Sequence, residues 1–400
     1  MQTSFPIPAF LRVLSVCVLA ALFAPGLFGQ SQTATTTMSR EQLIAEGEKM
    51  ADAQLAVQKP NIGWVAAVMW AGYADFSHVS PKSAYADTIA QLGESVHWTP
   101  LLRAKAPDHA DDLCICQTFL DAYATQPNAA RLGPTRSRFD TLCADLDKGG
   151  ATGPPGPKGN LLPWWWCDAL CMAPPAQARL SVITKNPKYL DAMNKEWWRT
   201  ADLLYDKDEH LFFRDASFLG KKTKHGQKVF WSRGNGWVFA GLARTLPYIP
   251  NNYPDRARYV TMFKDMAARL ASLQQADGTW RTSLLDRDQF PEPETSGTAL
   301  DCFAYAWGIN NGLLDRATYL PIVEKAWAAL LAAKRPDGLL GYVQGVGKAP
   351  GPVKADGTQP YATGAFLMDV CELAKLAPIT VPVSPPLVIP VTENAGAPSP

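Results

Sequence analysis

Apolar residues recur along most of this chain at intervals of three and four, the spacing that gathers them on one face of an α-helix. Leu43, Ile44, Gly47, Met50, Ala51 and Leu55 form one such face, and Ser39 followed by Gln42 is a capping box ahead of it. Leu190, Met193, Trp197, Ala201 and Leu204 form a second stripe behind Asn186-Pro187, and Tyr259, Phe263, Met266, Leu270 and Leu273 a third. Five-residue runs of strict alternation, the mark of half-buried strands, are not evident. The pattern predicts about twelve helices, over 39–57, 62–76, 82–97, 111–125, 133–147, 164–184, 187–205, 233–247, 254–275, 295–311, 316–334 and 360–376.

The linkers alternate in length. Those after even-numbered helices are mostly short, as from Thr184 to Pro187, Pro247 to Pro254 and Asn311 to Arg316. Those after odd-numbered helices are mostly long, as from His97 to Ala110, Asp206 to Phe230, Ala276 to Thr295 and Arg335 to Gln359; only the first is short. Short connections make neighbouring helices antiparallel. All odd-to-even linkers then fall at one end, and six such hairpins can close into an all-α (α/α)6 barrel with the even helices inside. Long loops on a rigid scaffold are where sites form. Chemistry is therefore expected at the N-termini of the even helices.

The ends of the chain differ from this pattern. Val13 to Phe23 is an apolar run of signal-peptide length between Arg12 and Ala24-Pro25-Gly26, which marks residues 1–30 as a cleaved secretory leader. No later segment has the roughly 18 unbroken apolar residues of a membrane span. The expectation is a secreted or periplasmic protein with no membrane span in the mature chain. Its catalytic domain covers 38–378, and a Pro-rich tail over 379–400 is extended or disordered.

Charge and composition remove several function classes. Lys plus Arg number 38 against 37 Asp plus Glu, so the basic excess of a nucleic-acid or membrane-surface binder is missing. Once Cys17 leaves with the leader, Cys114, Cys116, Cys143, Cys167, Cys171, Cys302 and Cys371 remain, an odd number with no zinc-ligand spacing. Buried free thiols are expected, and one disulfide stays open in an oxidising compartment. His97, His109, His210 and His225 are dispersed, which gives neither a metal cluster nor a Ser-His-Asp triad and suggests structural or surface roles. The 13 Trp residues serve either as core or as faces for sugar rings.

Three even-helix starts concentrate candidate chemistry. Asp111-Asp112 opens the fourth, with one Asp capping and the other free to face a cavity. Asp168 lies in the run from Trp164 to Met172, beside Trp166, where a carboxylate needs a partner or a proton. A raised pKa is what a general acid near neutrality requires; a buried Asp tied to backbone amides is the plain alternative. Phe230 to Trp237 opens the eighth helix. Arg233 there offers a planar fork to a carboxylate, Trp231 and Trp237 offer ring faces, and Asn235 stands between glycines. Glu292, Glu294, Thr295 and Ser296 either line the same mouth or only cap the tenth helix, and the cap is the expectation.

At these motifs the chain resembles the unsaturated glucuronyl/rhamnogalacturonyl hydrolases, glycoside hydrolase families 88 and 105, and family 105 in particular. The carriers are Ala110-Asp111-Asp112 with Gln117-Thr118-Phe119, the run from Trp164 to Arg179, and Trp231-Ser232-Arg233-Gly234-Asn235-Gly236-Trp237. Glu294-Thr295-Ser296-Gly297 and Tyr361-Ala362-Thr363-Gly364 add to them. The resemblance implies an (α/α)6 barrel that removes a 4,5-unsaturated uronic acid from the non-reducing end of lyase-generated oligosaccharides, an unsaturated rhamnogalacturonan disaccharide above all. An Asp protonates carbon 4 of the vinyl ether, water adds at carbon 5, and the resulting hemiketal opens and frees the aglycone.

By position, Asp168 matches the family's general acid/base, and Asp112, in preference to Asp111, its second essential Asp. Arg233, Trp231, Trp237, Asn235, Trp166 and Asp111 would line the sugar site. Arg214 stands where some relatives carry His. No metal or cofactor is implied, and the chain is expected to be a monomer or small homo-oligomer. The competing readings are another (α/α)6-barrel glycosidase, a polysaccharide lyase and a non-catalytic carbohydrate-binding barrel.

Overall fold

In the computed structural model of this protein, residues 35–149, 153–154 and 161–382 are described. The capping box starts the first helix: the Gln42 amide donates to Ser39 Oγ (3.3 Å) and the Ser39 amide to Gln42 Oε1 (2.8 Å). In chain order the elements are β1 (Thr35–Met38), α1 (Arg40–Val57), α2 (Trp64–Ser77), α3 (Ala84–Ser95), α4 (Ala110–Leu113), α5 (Cys116–Thr125), α6 (Ala129–Asp147), α7 (Ala169–Met172), α8 (Pro174–Thr184) and α9 (Lys188–Leu204). They continue with β2 (Tyr205–Asp206), β3 (Leu211–Phe212), α10 (Ser232–Thr245), α11 (Arg256–Ala271), α12 (Thr295–Asn310), α13 (Arg316–Ala332), α14 (Pro360–Leu376) and β4 (Ile379–Pro382).

The helices close a double ring. Inside, α2 touches α5, α5 touches α8, α7 and α8 touch α10, α10 touches α12, α12 touches α14, and α14 returns to α2. Outside, α3, α6, α9, α11 and α13 pack on α2, α5, α8, α10 and α12, and α1 packs on α14. This is the (α/α)6 barrel, with the even hairpin members inside. Burial follows the layer. Every residue of α12 from Thr295 to Ile309 is buried, whereas α9 buries one stripe that includes Leu190, Met193, Trp197 and Leu204. A helix enclosed on all sides is apolar all round, and one with a solvent face is not.

In the inner ring α2 and α14 cross closely at a pair of glycines. A Cβ at Gly72 would lie 2.2 Å from the Gly364 carbonyl oxygen, so the two backbones meet where only glycine fits. Gly72→Ala is expected to destabilise the barrel by about 1–3 kcal/mol or more, because backbone rather than a flexible side chain must yield. A lowered midpoint of urea unfolding checks this.

The structure departs from the predicted elements most where helices break and where the tail begins. The fourth helix is two, α4 and α5, broken at Cys114–Ile115. The sixth begins later than 164: Trp166 is extended and bridges Asp215, and the helix is split into α7 and α8 before Pro174-Pro175, whose nitrogens carry no hydrogen. The tail does not turn disordered at 379. Ile379 to Pro382 pairs antiparallel with Thr35 to Met38, and burial of Met38, Ile379 and Val381 holds the ribbon to the outer helices. The apolar leader and the chain beyond 382 lie outside the described residues. All seven expected cysteines are free and buried, and among the described residues no helix is long and apolar enough to cross a membrane.

Candidate active site

The N-terminal ends of the inner helices converge on one mouth. Trp64 at the start of α2 stacks on Tyr361 at the start of α14 (ring centroids 5.5 Å). The Arg233 guanidinium, opening α10, lies over the rings of Tyr361 (5.0 Å) and Trp231 (4.5 Å) and donates to Ser296 Oγ on α12. His109, which precedes α4, packs on Trp166, which precedes α7 (4.7 Å).

Asp168 occupies the N-cap position of α7, yet its side chain makes no capping bond. It is 8 % exposed. Its Oδ2 lies 3.4 Å from the Cys167 thiol and 3.6 Å from Arg214 Nε. Burial holds its pKa above the ordinary carboxylate range, and the charges of Arg214 and Arg233 pull the other way without prevailing. Arg214 is itself oriented: Nη1 donates to Asp215 (2.8 Å), and the guanidinium sits over Trp165 (5.4 Å).

The adjacent acids of α4 have different surroundings. Asp112 is buried with both oxygens occupied: the Arg103 amide donates to Oδ2 and Arg103 Nε to Oδ1, each at 3.0 Å. It anchors the long loop before α4. Asp111 instead lies in the field of Asp168. Burial first, and the Asp168 charge second, push its pKa up to about 7, against the opposing charge of Arg103 at 3.8 Å. The charge of Asp168 thus acts on Asp111, whereas Asp112, the second acid expected from the sequence, has its oxygens taken by Arg103. His109 accepts the Asp111 amide at Nδ1 (3.3 Å), and burial lowers its pKa to about 4, so the ring is a neutral acceptor.

Both acids of the pair are raised, so a proton stays on the pair up to neutral pH and is lost above it. The alkaline limb of activity is expected near pH 7, read from kcat against pH. Stability should fall over the same range. Asp111 binds its proton more tightly folded than unfolded, so its stabilising contribution, full below its ordinary 3.8, is lost as pH rises through about 7.

The α10 motif is placed differently from expectation. Arg233 is 1 % exposed, and its Nη1 and Nη2 donate to the Gln344 and Gly345 carbonyls (2.7 and 2.8 Å), so its fork holds the long loop before α14. Trp231 is enclosed and donates to Gln344 Oε1 (2.7 Å), and Trp237 lies in the core against Tyr361. Asn235 is wholly buried: its oxygen accepts the Phe212 amide and its nitrogen donates to the Phe212 and Trp231 carbonyls, tying β3 to α10. Trp166 is enclosed as well. Glu294 caps α12 through the Ser296 and Gly297 amides, as expected. Trp64 and Trp165, at the mouth, are partly exposed. His109 and Arg103 were missed as site residues. The signal for His109 was its place just before Asp-Asp at a helix start; Arg103 left none in the sequence. Among the described residues no group of His, Cys, Asp and Glu could hold a metal ion.

Comparison with known proteins agrees with the barrel fold. The family model for Glycosyl Hydrolase Family 88 matches residues 36–377. An unsaturated 3S-rhamnoglycuronyl hydrolase of Formosa agariphila is 37% identical over 374 residues, covering 92% of this chain and 98% of that protein. Among solved structures, a glycosyl hydrolase family 88 protein from Bacteroides vulgatus superposes with a TM-score of 0.77 at 31% identity, over 84% of this chain and 99% of that one. A structure named as a polysaccharide lyase gives 0.76 at 30% identity, over 84% and 98%.

Proposed function

The chain belongs to glycosyl hydrolase family 88, and from that premise we propose that it removes a 4,5-unsaturated uronic acid from the non-reducing end of lyase-generated oligosaccharides, with rhamnose as the neighbouring sugar. The observation that carries this reading is the buried, raised acid Asp168 in the electrostatic reach of a second raised acid, Asp111, at the barrel mouth. The names of the relatives support the rhamnose, which an unsaturated rhamnogalacturonan disaccharide also contains.

Asp168 gives its proton to carbon 4 of the vinyl ether, and positive charge develops at carbon 5 and the ring oxygen. Water adds to carbon 5 and passes its proton to the Asp168 carboxylate, which restores the acid. The hemiketal at carbon 5 then opens to a ketone. Carbon 1 is left as a hemiacetal that expels the aglycone as an alcohol, so one water is consumed overall. Asp111 shares the proton of the pair, its own carboxyl held protonated by burial and by the charge of Asp168. Arg233 is committed to backbone carbonyls, so the substrate carboxylate falls to Arg214 and Arg103, the guanidiniums beside the two acids. Trp64 and Trp165 supply the sugar-stacking faces.

The test is to incubate the protein with unsaturated uronyl disaccharides that differ in the neighbouring sugar and follow the ultraviolet absorbance of the alkene. Decay, fastest with rhamnose, is expected. Growth of absorbance on an intact polyuronide would instead make the protein a lyase, the reading that the lyase-named structure favours. Saturable binding without either change would make it a binding barrel.

The same reading places the enzyme outside the cytoplasm, as a monomer or small homo-oligomer serving degradation of pectin or a related polyuronide. Its support is the apolar leader from Val13 to Phe23. N-terminal sequencing of the protein recovered from the periplasm or medium checks export.

A further inference from the structure

Each candidate acid sits on a helix of one turn. Asp111 belongs to α4, of four residues, and Asp168 precedes α7, also of four. So short a helix does not hold itself, because its nucleation cost is not recovered by propagation. The bearing of each carboxyl must come from tertiary contacts.

The break after α7 creates a specific need. In a continuous helix the carbonyls of Leu170 and Cys171 would accept the amides of residues 174 and 175. Both are proline, with no N–H to give. The Leu170 carbonyl abuts α10 at Gly241, where an added Cβ would lie 2.5 Å from its oxygen. The Cys171 carbonyl is satisfied by a side chain from another helix: Gln117 Nε2 donates to it at 2.8 Å and to the Met172 carbonyl at 3.1 Å. Gln117 lies in the first turn of α5, directly behind the turn that carries Asp111. Its Oε1 accepts from Arg244 Nε (2.7 Å), and Arg244 in turn pairs with Asp75 of α2. The amide is 5 % exposed, with its oxygen held by α10 and its nitrogen by α7.

We propose that Gln117 is a positioning residue that straps the Asp111 turn to the Asp168 turn and so sets the separation of the two carboxyls. The inference rests on the reading that these acids act together, and it adds the device that keeps them in register. A displacement of 1 Å at a reacting group costs on the order of 100-fold in rate, so a strap one amide long has kinetic consequences. Around the pair, Arg103, His109 and Asp112 face Asp111, and Cys167, Arg214 and Arg233 face Asp168; none of these is altered in the test.

Gln117→Met keeps the volume and helix propensity and removes both polar ends. Gln117→Glu keeps the acceptor for Arg244, removes the donor to α7, and serves if the Met variant does not fold. The folded variant is expected to lose roughly 10–100-fold in kcat with KM within about threefold. The readout that a packing defect would not move is the titration of Asp111, followed by carbon NMR of aspartate-labelled protein in the presence and absence of Asp168→Asn. In the wild type, Asp168→Asn lowers the Asp111 titration; in the Gln117 variant that response is halved or lost. A folded variant with the full response and a kcat within about twofold of wild type overturns the proposal. The titration needs no turnover. If wild-type protein leaves the alkene untouched, the function reading falls, and the Gln117 strap is still decided by NMR.

Discussion

Asp168→Asn is expected to lower kcat by on the order of 10³-fold on an unsaturated uronyl disaccharide, with KM changed only a few-fold. Asparagine has nearly the shape of aspartate but no acidic proton for carbon 4, and general acid–base groups contribute roughly 10²- to 10⁴-fold. A 10³-fold loss is about 4 kcal/mol of barrier. Stability should hold or rise, because a buried carboxyl whose pKa is already pushed up is replaced by a neutral amide. Stopped or steady-state decay of the alkene absorbance gives kcat and KM separately. Full turnover by the variant would remove Asp168 from the chemistry.

The second large effect distinguishes two neighbours in sequence. Asp111→Asn is expected to cost about 10²-fold in kcat and to move the alkaline limb of the kcat profile to lower pH. The sign follows from the pair. Removing Asp111 takes away the carboxyl that holds a proton in the site up to about pH 7, so the proton needed at carbon 4 is lost sooner as pH rises. Asp112→Asn should act elsewhere. It exchanges the two bonds from Arg103 for weaker ones in a buried place, which costs about 1–3 kcal/mol of stability, nearer the lower figure because Arg103 is half exposed. It loosens the loop before α4 and raises KM more than it lowers kcat. If Asp112→Asn proves the more damaging to kcat, the second acid is Asp112.

Much of the fold was legible in the chain, and the reasons are local. The 3.6-residue spacing of Leu190, Met193, Trp197 and Leu204 names an outer helix without any tertiary information. The alternation of short and long linkers identifies the inner ring, because a short connection leaves two helices no arrangement but side by side and antiparallel. What failed was equally physical. The tryptophans before Asp168 read as helix because they are apolar and contiguous, but Trp164 lies in a turn and a bridge to Asp215 holds Trp166 extended. Ile379 and Val381 lie in a Pro-rich stretch that reads as a tail. They become strand because Thr35 to Met38, more than 300 residues earlier, offers an edge.

The site divides along the same line. The order of residues alone specifies which types stand at the helix starts, and therefore that acids, an arginine and tryptophans meet at one end of a barrel whose loops are long there. What each of them does follows from folding. Asp111 and Asp112 are identical in type and adjacent in the chain. One lies in the field of Asp168 while the other takes the guanidinium of Arg103, nine residues before it. Arg233 had every mark of a carboxylate fork, yet both its terminal nitrogens are spent on the carbonyls of Gln344 and Gly345. Hydrogen-bonding capacity is a property of the side chain and can be read from a letter. Whether that capacity is already used depends on backbone groups brought close by folding, which no local pattern encodes.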